Sequence, residues 1–152
     1  MELSKAQEAI SEECELIKEN LLRENNYLES FIISHVINLA QKETESFLLN
    51  SLIMYRIMRK GTIVACCTIT TECDSIKGML LDKNRKYGNS VFEPINIFSK
   101  ANWLDIIHIR IDDKLKRIQN MQADDCEDTV LDLIGYLILK RVGCKIVRYE
   151  ER

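Results

Sequence analysis

Asp128 and Asp132 stand four residues apart, so on a helix they project from one face, one turn apart. Leu131, Ile134 and Ile138 mark the adjoining apolar face. Two carboxylates beside a core stripe repel each other unless something positive lies between them, and hard oxygen ligands of this kind suit Mg2+ or Mn2+. The same spacing also fits a plainer arrangement, in which Asp128 serves the first turn of a helix and Asp132 is solvated.

The segment Arg110-Ile111-Asp112-Asp113-Lys114-Leu115-Lys116-Arg117 places positions 110, 113, 114 and 117 on one helical face. That face carries one carboxylate, Asp113, among the cations Arg110, Lys114 and Arg117. A solvated face laced with ion pairs has the same appearance. The link to the following helix is only about seven residues, which predicts an antiparallel hairpin bringing Asp113 toward Asp128 and Asp132. Carboxylates would then hold a cation while Arg and Lys hold phosphates, the division of labour in a metal–polyphosphate complex. Glu72 and Asp74, on the helix before, are candidates for a further ligand.

Three blocks occur in order: Lys83-Asn84-x-x-Tyr87-Gly88-Asn89-Ser90, Ile109-Arg110-x-x-Asp113-Lys114-x-x-Arg117, and Asp128-Thr129-x-x-Asp132-Leu133-x-x-Tyr136. Together they resemble the nucleotide-modification-associated domain family of phage proteins, over residues 70–142. That family is similar to the all-α nucleoside triphosphate pyrophosphatases of the MazG and dimeric dUTPase group, which hold magnesium on acidic residues of adjacent helices and release pyrophosphate. The resemblance implies Asp113, Asp128 and Asp132 as catalytic metal ligands, with Glu72 beside them. It implies Lys83, Arg110, Lys114 and Arg117 against phosphate, and Asn84, Tyr87 and Asn89 near a base or sugar. It also implies a homo-oligomer, since such relatives build sites across the helices of paired subunits. Where the pyrophosphatase group carries a Glu-Glu-x-x-Glu helix, this chain has Glu72 and Asp74, with Ser75 and Gly78 following. Magnesium-dependent pyrophosphohydrolysis is therefore one expectation, and nucleotide binding without hydrolysis, to sequester or sense the ligand, is the other.

The elements that must position these residues read as helices. Ser4 and Gln7 resemble a capping box, followed by Ala6, Ala9, Ile10, Leu16, Ile17 and Leu21 at helical spacing. After Asn25-Asn26, the set Leu28, Phe31, Ile32, Val36 and Leu39 predicts a second helix. Thr44 caps a third, through Phe47, Leu48, Leu52, Tyr55 and Met58, ending at Lys60-Gly61. The β-branched run from Thr62 to Thr71 would suit a strand, but a lone strand has no partner, so helix is predicted there, running to Lys86. Tyr87-Gly88-Asn89 reads as an exit and Pro94 as loop. A helix capped by Ser99 carries Trp103, Leu104, Ile107, Ile111, Leu115 and Ile118 to Met121. Asp124 and Asp125 cap the last helix, through Val130, Leu131, Ile134, Leu137 and Ile138 to Arg141 and Gly143. The expectation is an all-α bundle of about five or six helices carrying an antiparallel hairpin with the acidic and basic site. Residues 1–61 are expected to be scaffold or oligomer surface, 62–143 the nucleotide-handling region and 144–152 an extended or unstructured tail, within one domain overall. Trp103 and His35 read as packing, and His108 as a half-buried structural histidine or an acid–base group. Gly135 reads as the crossing point for the Asp113 helix, and Cys66 and Cys67 as buried small hydrophobes.

Composition bounds the alternatives. The 152 residues have 21 Lys and Arg against 24 Asp and Glu, a net charge of −3, which gives no strong case for nucleic acid. A hydrophobic content of 46% supports a packed core and excludes intrinsic disorder. Five glycines and one proline leave little for an all-β sandwich or a glycine-rich phosphate loop. No run approaches the ~18 apolar residues of a membrane span, and Met1-Glu2-Leu3-Ser4-Lys5 has no signal-like pattern. Six cysteines without Cys-x-x-Cys spacing read as reduced thiols of a cytoplasmic protein, with no zinc frame.

Overall fold

The computed structural model describes residues 2–24, 26–27, 33–120 and 127–150. The described residues form six helices: α1 (Leu3–Arg23), α2 (Val36–Lys42), α3 (Glu45–Arg59), α4 (Cys66–Tyr87), α5 (Trp103–Asn120) and α6 (Glu127–Glu150), with a 3-10 turn at Ile33–His35 before α2. No strand occurs among the described residues, and the all-α bundle expected from the sequence is the observed architecture. No helix among them is long and apolar enough to cross a membrane. The predicted helix positions Leu28, Phe31 and Ile32, the end at Met121, and the caps Asp124 and Asp125 lie outside the described residues.

Each helix buries one stripe at three- and four-residue spacing. In α1 the stripe is Ala6, Ile10, Cys14, Ile17 and Leu21; in α4 it is Ile69, Cys73, Ile76 and Leu80. α3 is buried on most of its circumference, by Leu48, Leu49, Leu52, Ile53, Met54 and Ile57, and so lies deepest in the core. Thr44 caps α3 as predicted, its hydroxyl accepting from the Phe47 amide at 3.2 Å. Gly61 ends that stretch at φ 75°, a conformation that favours glycine. Antiparallel packing follows from the pairs that meet. Gln7, Glu15 and Lys18 of α1 reach Asn84, Lys77 and Asp74 of α4, in reverse order along the chain. On α5 and α6, Trp103 lies against Gly143 while Lys114 lies against Asp132, so the predicted hairpin is antiparallel too.

Several local expectations give way to the tertiary structure. The Ser4–Gln7 capping box does not form: α1 starts at Leu3 without a side-chain cap, and Gln7 turns to α4. Helix α4 begins at Cys66, not Thr62. The Thr68 hydroxyl accepts from the Ala65 amide at 2.9 Å and donates to the Ile63 carbonyl at 2.7 Å, tying the non-helical connection to the first turn. Cys66 and Cys67 are consequently exposed at a helix start; the predicted helix holds over residues 66–71, and only 62–65 of the run form a connector. Asn102, rather than Ser99, caps α5 by accepting from the Asp105 amide. Helix α6 runs past Arg141 and Gly143 to Glu150, so residues 144–150 are helix and not an extended tail. The reason lies at Gly143, where a Cβ would fall 2.3 Å from Trp103 Cζ3. The missing side chain there admits an indole, and does not end the helix. Gly135 does mark a close crossing, but with Leu80 and Met79 of α4 instead of α5. His35 and His108 are both exposed, whereas Trp103 packs half-buried against the core, edge-on to Phe92.

Candidate nucleotide site

A cavity of about 460 Å³ opens between α4, α5, α6 and the turn after α4. Its floor is apolar, built from Leu80 and Met79 of α4, Ile106 and Ile107 of α5, and Leu139 of α6. Helical spacing explains the arrangement. Leu80, Lys83 and Tyr87 share one face of α4, as Asp132, Gly135, Tyr136 and Leu139 share one face of α6. Gly135 lets α4 approach closely, bringing Lys83 over Asp132.

The polar edge is made by Lys83, Arg110 and Asp132. Lys83 Nζ donates to Asp132 Oδ1 at 3.2 Å, and Lys114 Nζ lies 3.5 Å from Asp132 Oδ2. One carboxylate thus faces two ammonium groups carried by two different helices. Arg110, on the cavity wall, has no ion-pair partner among the described residues. The tyrosines Tyr87 and Tyr136 flank the opening.

Asn84, expected near a base or sugar, is a buried clasp. Its amide nitrogen donates to the Gly88 carbonyl at 3.0 Å and to Asn89 Oδ1 at 3.3 Å, while its oxygen accepts from Gln7 Nε2 at 2.6 Å. Gln7 also donates to the Leu81 carbonyl. Both amide hydrogens of Asn84 are therefore used within the protein, and the residue holds the turn at Gly88, where φ is 62°. Asn89 belongs to this clasp and does not line the cavity. Gln7 was missed by the sequence reading, which assigned α1 to scaffold. Its position beside Ala6 on the buried stripe was the available signal.

The acidic residues are not gathered. Among the described residues no group of three His, Cys, Asp or Glu side chains stands close enough to hold a metal ion. Asp113, Asp128 and Arg117 are exposed and do not line the cavity. Glu72 lies eleven residues before Lys83 on α4, about 16 Å along the helix axis. There it accepts from Arg56 Nε at 2.6 Å and Lys60 Nζ at 2.5 Å of α3. Burial pushes the Glu72 carboxyl up, but the hydrogen bonds from Lys60 and Arg56 outweigh it and hold the group below its usual range. Glu72 thus serves as the anion of a structural ion pair where the sequence predicted a metal ligand. Asp132, its oxygens directed at two lysines, likewise does not present an open oxygen donor set to Mg2+ or Mn2+.

No protein-family model, curated protein or solved structure matches this chain.

Proposed function

We propose that this protein binds a nucleotide in the α4–α5–α6 cavity, with the base over the apolar floor and the phosphates on Lys83, Arg110 and Lys114. The observation that supports this most directly is the excess of cations at the cavity edge: Lys83 and Arg110 line the apolar recess with Asp132, and Lys114, outside the lining, also reaches that one carboxylate. An amphipathic recess with few convergent polar groups suits a ligand with a flat apolar body and an anionic end. The resemblance of the Lys83, Arg110 and Asp128 blocks to nucleotide-handling proteins points the same way.

A second reading, Mg2+-dependent release of pyrophosphate from a nucleoside triphosphate, is favoured by Asp128 standing one turn from Asp132 on α6. As they are arranged, the described residues do not fit that ion. Self-association and a cytoplasmic setting belong to the same proposal; the five free thiols described suit a reducing compartment.

The test is a thermal-shift screen of nucleotides with and without Mg2+, following pyrophosphate release in the same wells. A bound nucleotide at ~100-fold excess over Kd raises Tm by about 5–10 °C. Stabilisation without release supports the binding reading, and Mg2+-dependent pyrophosphate supports the second. The absence of any shift with any nucleotide overturns both.

A further inference from the structure

We propose that Asp132 is a built-in competitor for the phosphate of the cavity's ligand, occupying the cationic edge until a phosphate displaces it. The inference rests on the nucleotide-binding reading and concerns the same site. It assigns Asp132 a role opposite to that of a metal ligand, since an acid that holds a cation aids phosphate binding and a competitor opposes it.

The geometry carries the argument. The two oxygens of Asp132 face two ammonium groups from different helices, Lys83 on α4 at 3.2 Å and Lys114 on α5 at 3.5 Å. Both separations exceed the ~2.8 Å of a strong charge-assisted hydrogen bond, so the carboxylate bridges the lysines loosely. The Lys114 side chain is only 16% exposed, so an anion beside its ammonium replaces part of the hydration that packing removes. A single carboxylate cannot also satisfy Arg110, which lines the same cavity without an ion-pair partner among the described residues. A terminal phosphate can, because it has three oxygens and close to two negative charges. Displacement of Asp132 therefore selects for phosphomonoesters and polyphosphate ends. Phosphodiesters and simple carboxylates, with one charge each, do not exceed what Asp132 already supplies.

Asp132 is one-third exposed, so a displaced carboxylate can move into water. Ion pairs held this loosely contribute little, so removing both should tighten anion binding by about three- to tenfold. The experiment is calorimetric titration in EDTA with inorganic pyrophosphate and ADP, on the wild type, Asp132→Asn and Lys83→Gln. Asp132→Asn is expected to tighten both anions and Lys83→Gln to weaken them, with methyl phosphate binding and acetate failing to bind. Asp132→Ser makes the same comparison should the Asn variant not fold. Unchanged or weakened pyrophosphate binding in Asp132→Asn, with ADP still binding the wild type, overturns the competitor role alone. Failure of the wild type and both Asp132 variants to bind either probe overturns the competitor role and the nucleotide reading together.

Discussion

Asn84 is the lining residue on which the shape of the cavity wall depends, and both hydrogens of its amide are used within the protein. Its three hydrogen bonds join α1, through Gln7, to the turn at Gly88 and Asn89. Asn84→Ala leaves the Gly88 carbonyl and the Gln7 amide without this partner in a buried place, a loss of about 1–3 kcal/mol. Urea unfolding should show that loss as a lower midpoint with unchanged slope, and the proposed nucleotide binding should weaken with it as Tyr87 and Ser90 lose their support. A role as direct ligand contact would instead leave stability intact while abolishing binding. At this scale the sequence was informative about type and poor about partner. Lys83 and Lys114 meet at Asp132, and Arg110 lines the same cavity as Lys83 and Asp132. Asn84 lines the cavity, yet its amide is engaged by protein partners, one of them 77 residues away, and nothing local encodes that encounter. The two buried thiols were legible only as small hydrophobes. Burial pushes Cys14 and Cys73 up to about 12, so they stay protonated and inert at neutral pH.

Between elements, the junction of α3 with α4 is made by charge as well as by packing. Glu72 is 3% exposed and held by Arg56 and Lys60 at the end of the preceding helix. Its carboxyl lies below the ordinary value of 4.5 in the folded protein, so the stabilisation it contributes is complete above that value. As the pH falls through the lower, folded-state value, the carboxylate must be protonated and the contribution is lost. Glu72→Gln should therefore flatten the acid limb of a Tm-against-pH profile below pH 4.5 while lowering Tm at neutral pH. An unchanged acid limb in the variant would show that other carboxylates dominate acid unfolding. The elements themselves were largely legible, because periodic apolar stripes and the Thr44 cap are local signals. The start of α4 was not, since β-branched residues leave helix and connector equally open until Thr68 and Thr62 find their backbone partners. Glu72 itself was legible as an acid on the helix before the hairpin, but its burial depends on how α3 crosses α4.

Across the whole molecule, the decisive departure is the far end of α6. A glycine followed by few apolar residues signals a helix end in the sequence, yet Gly143 is the site where Trp103 and Phe92 come closest to the backbone of α6. The helix therefore continues, and residues beyond it close the bundle against α1. Ile146 is 4% exposed, and Lys145 pairs with Glu13, an α1 carboxylate that is 3% exposed. Arg141, one turn earlier, approaches the same carboxylate at 3.5 Å. A chain ending at Gly143 keeps the cavity residues but leaves Glu13 with the longer of its two ion pairs and removes Ile146 from the core. Loss of a buried apolar side chain and of one partner of a buried charge together cost about 3–5 kcal/mol, a large share of the ~5–15 kcal/mol of a typical domain. Thermal unfolding of the shortened chain should fall by about 6–20 °C, at roughly 2–4 °C per kcal/mol for a chain of this size. Ile146→Ala should reproduce much of that fall and Lys145→Met less, because Arg141 still reaches Glu13. An unshifted Tm for the shortened chain would mean that residues 144–150 only extend the helix and do not hold α1 and α6 together.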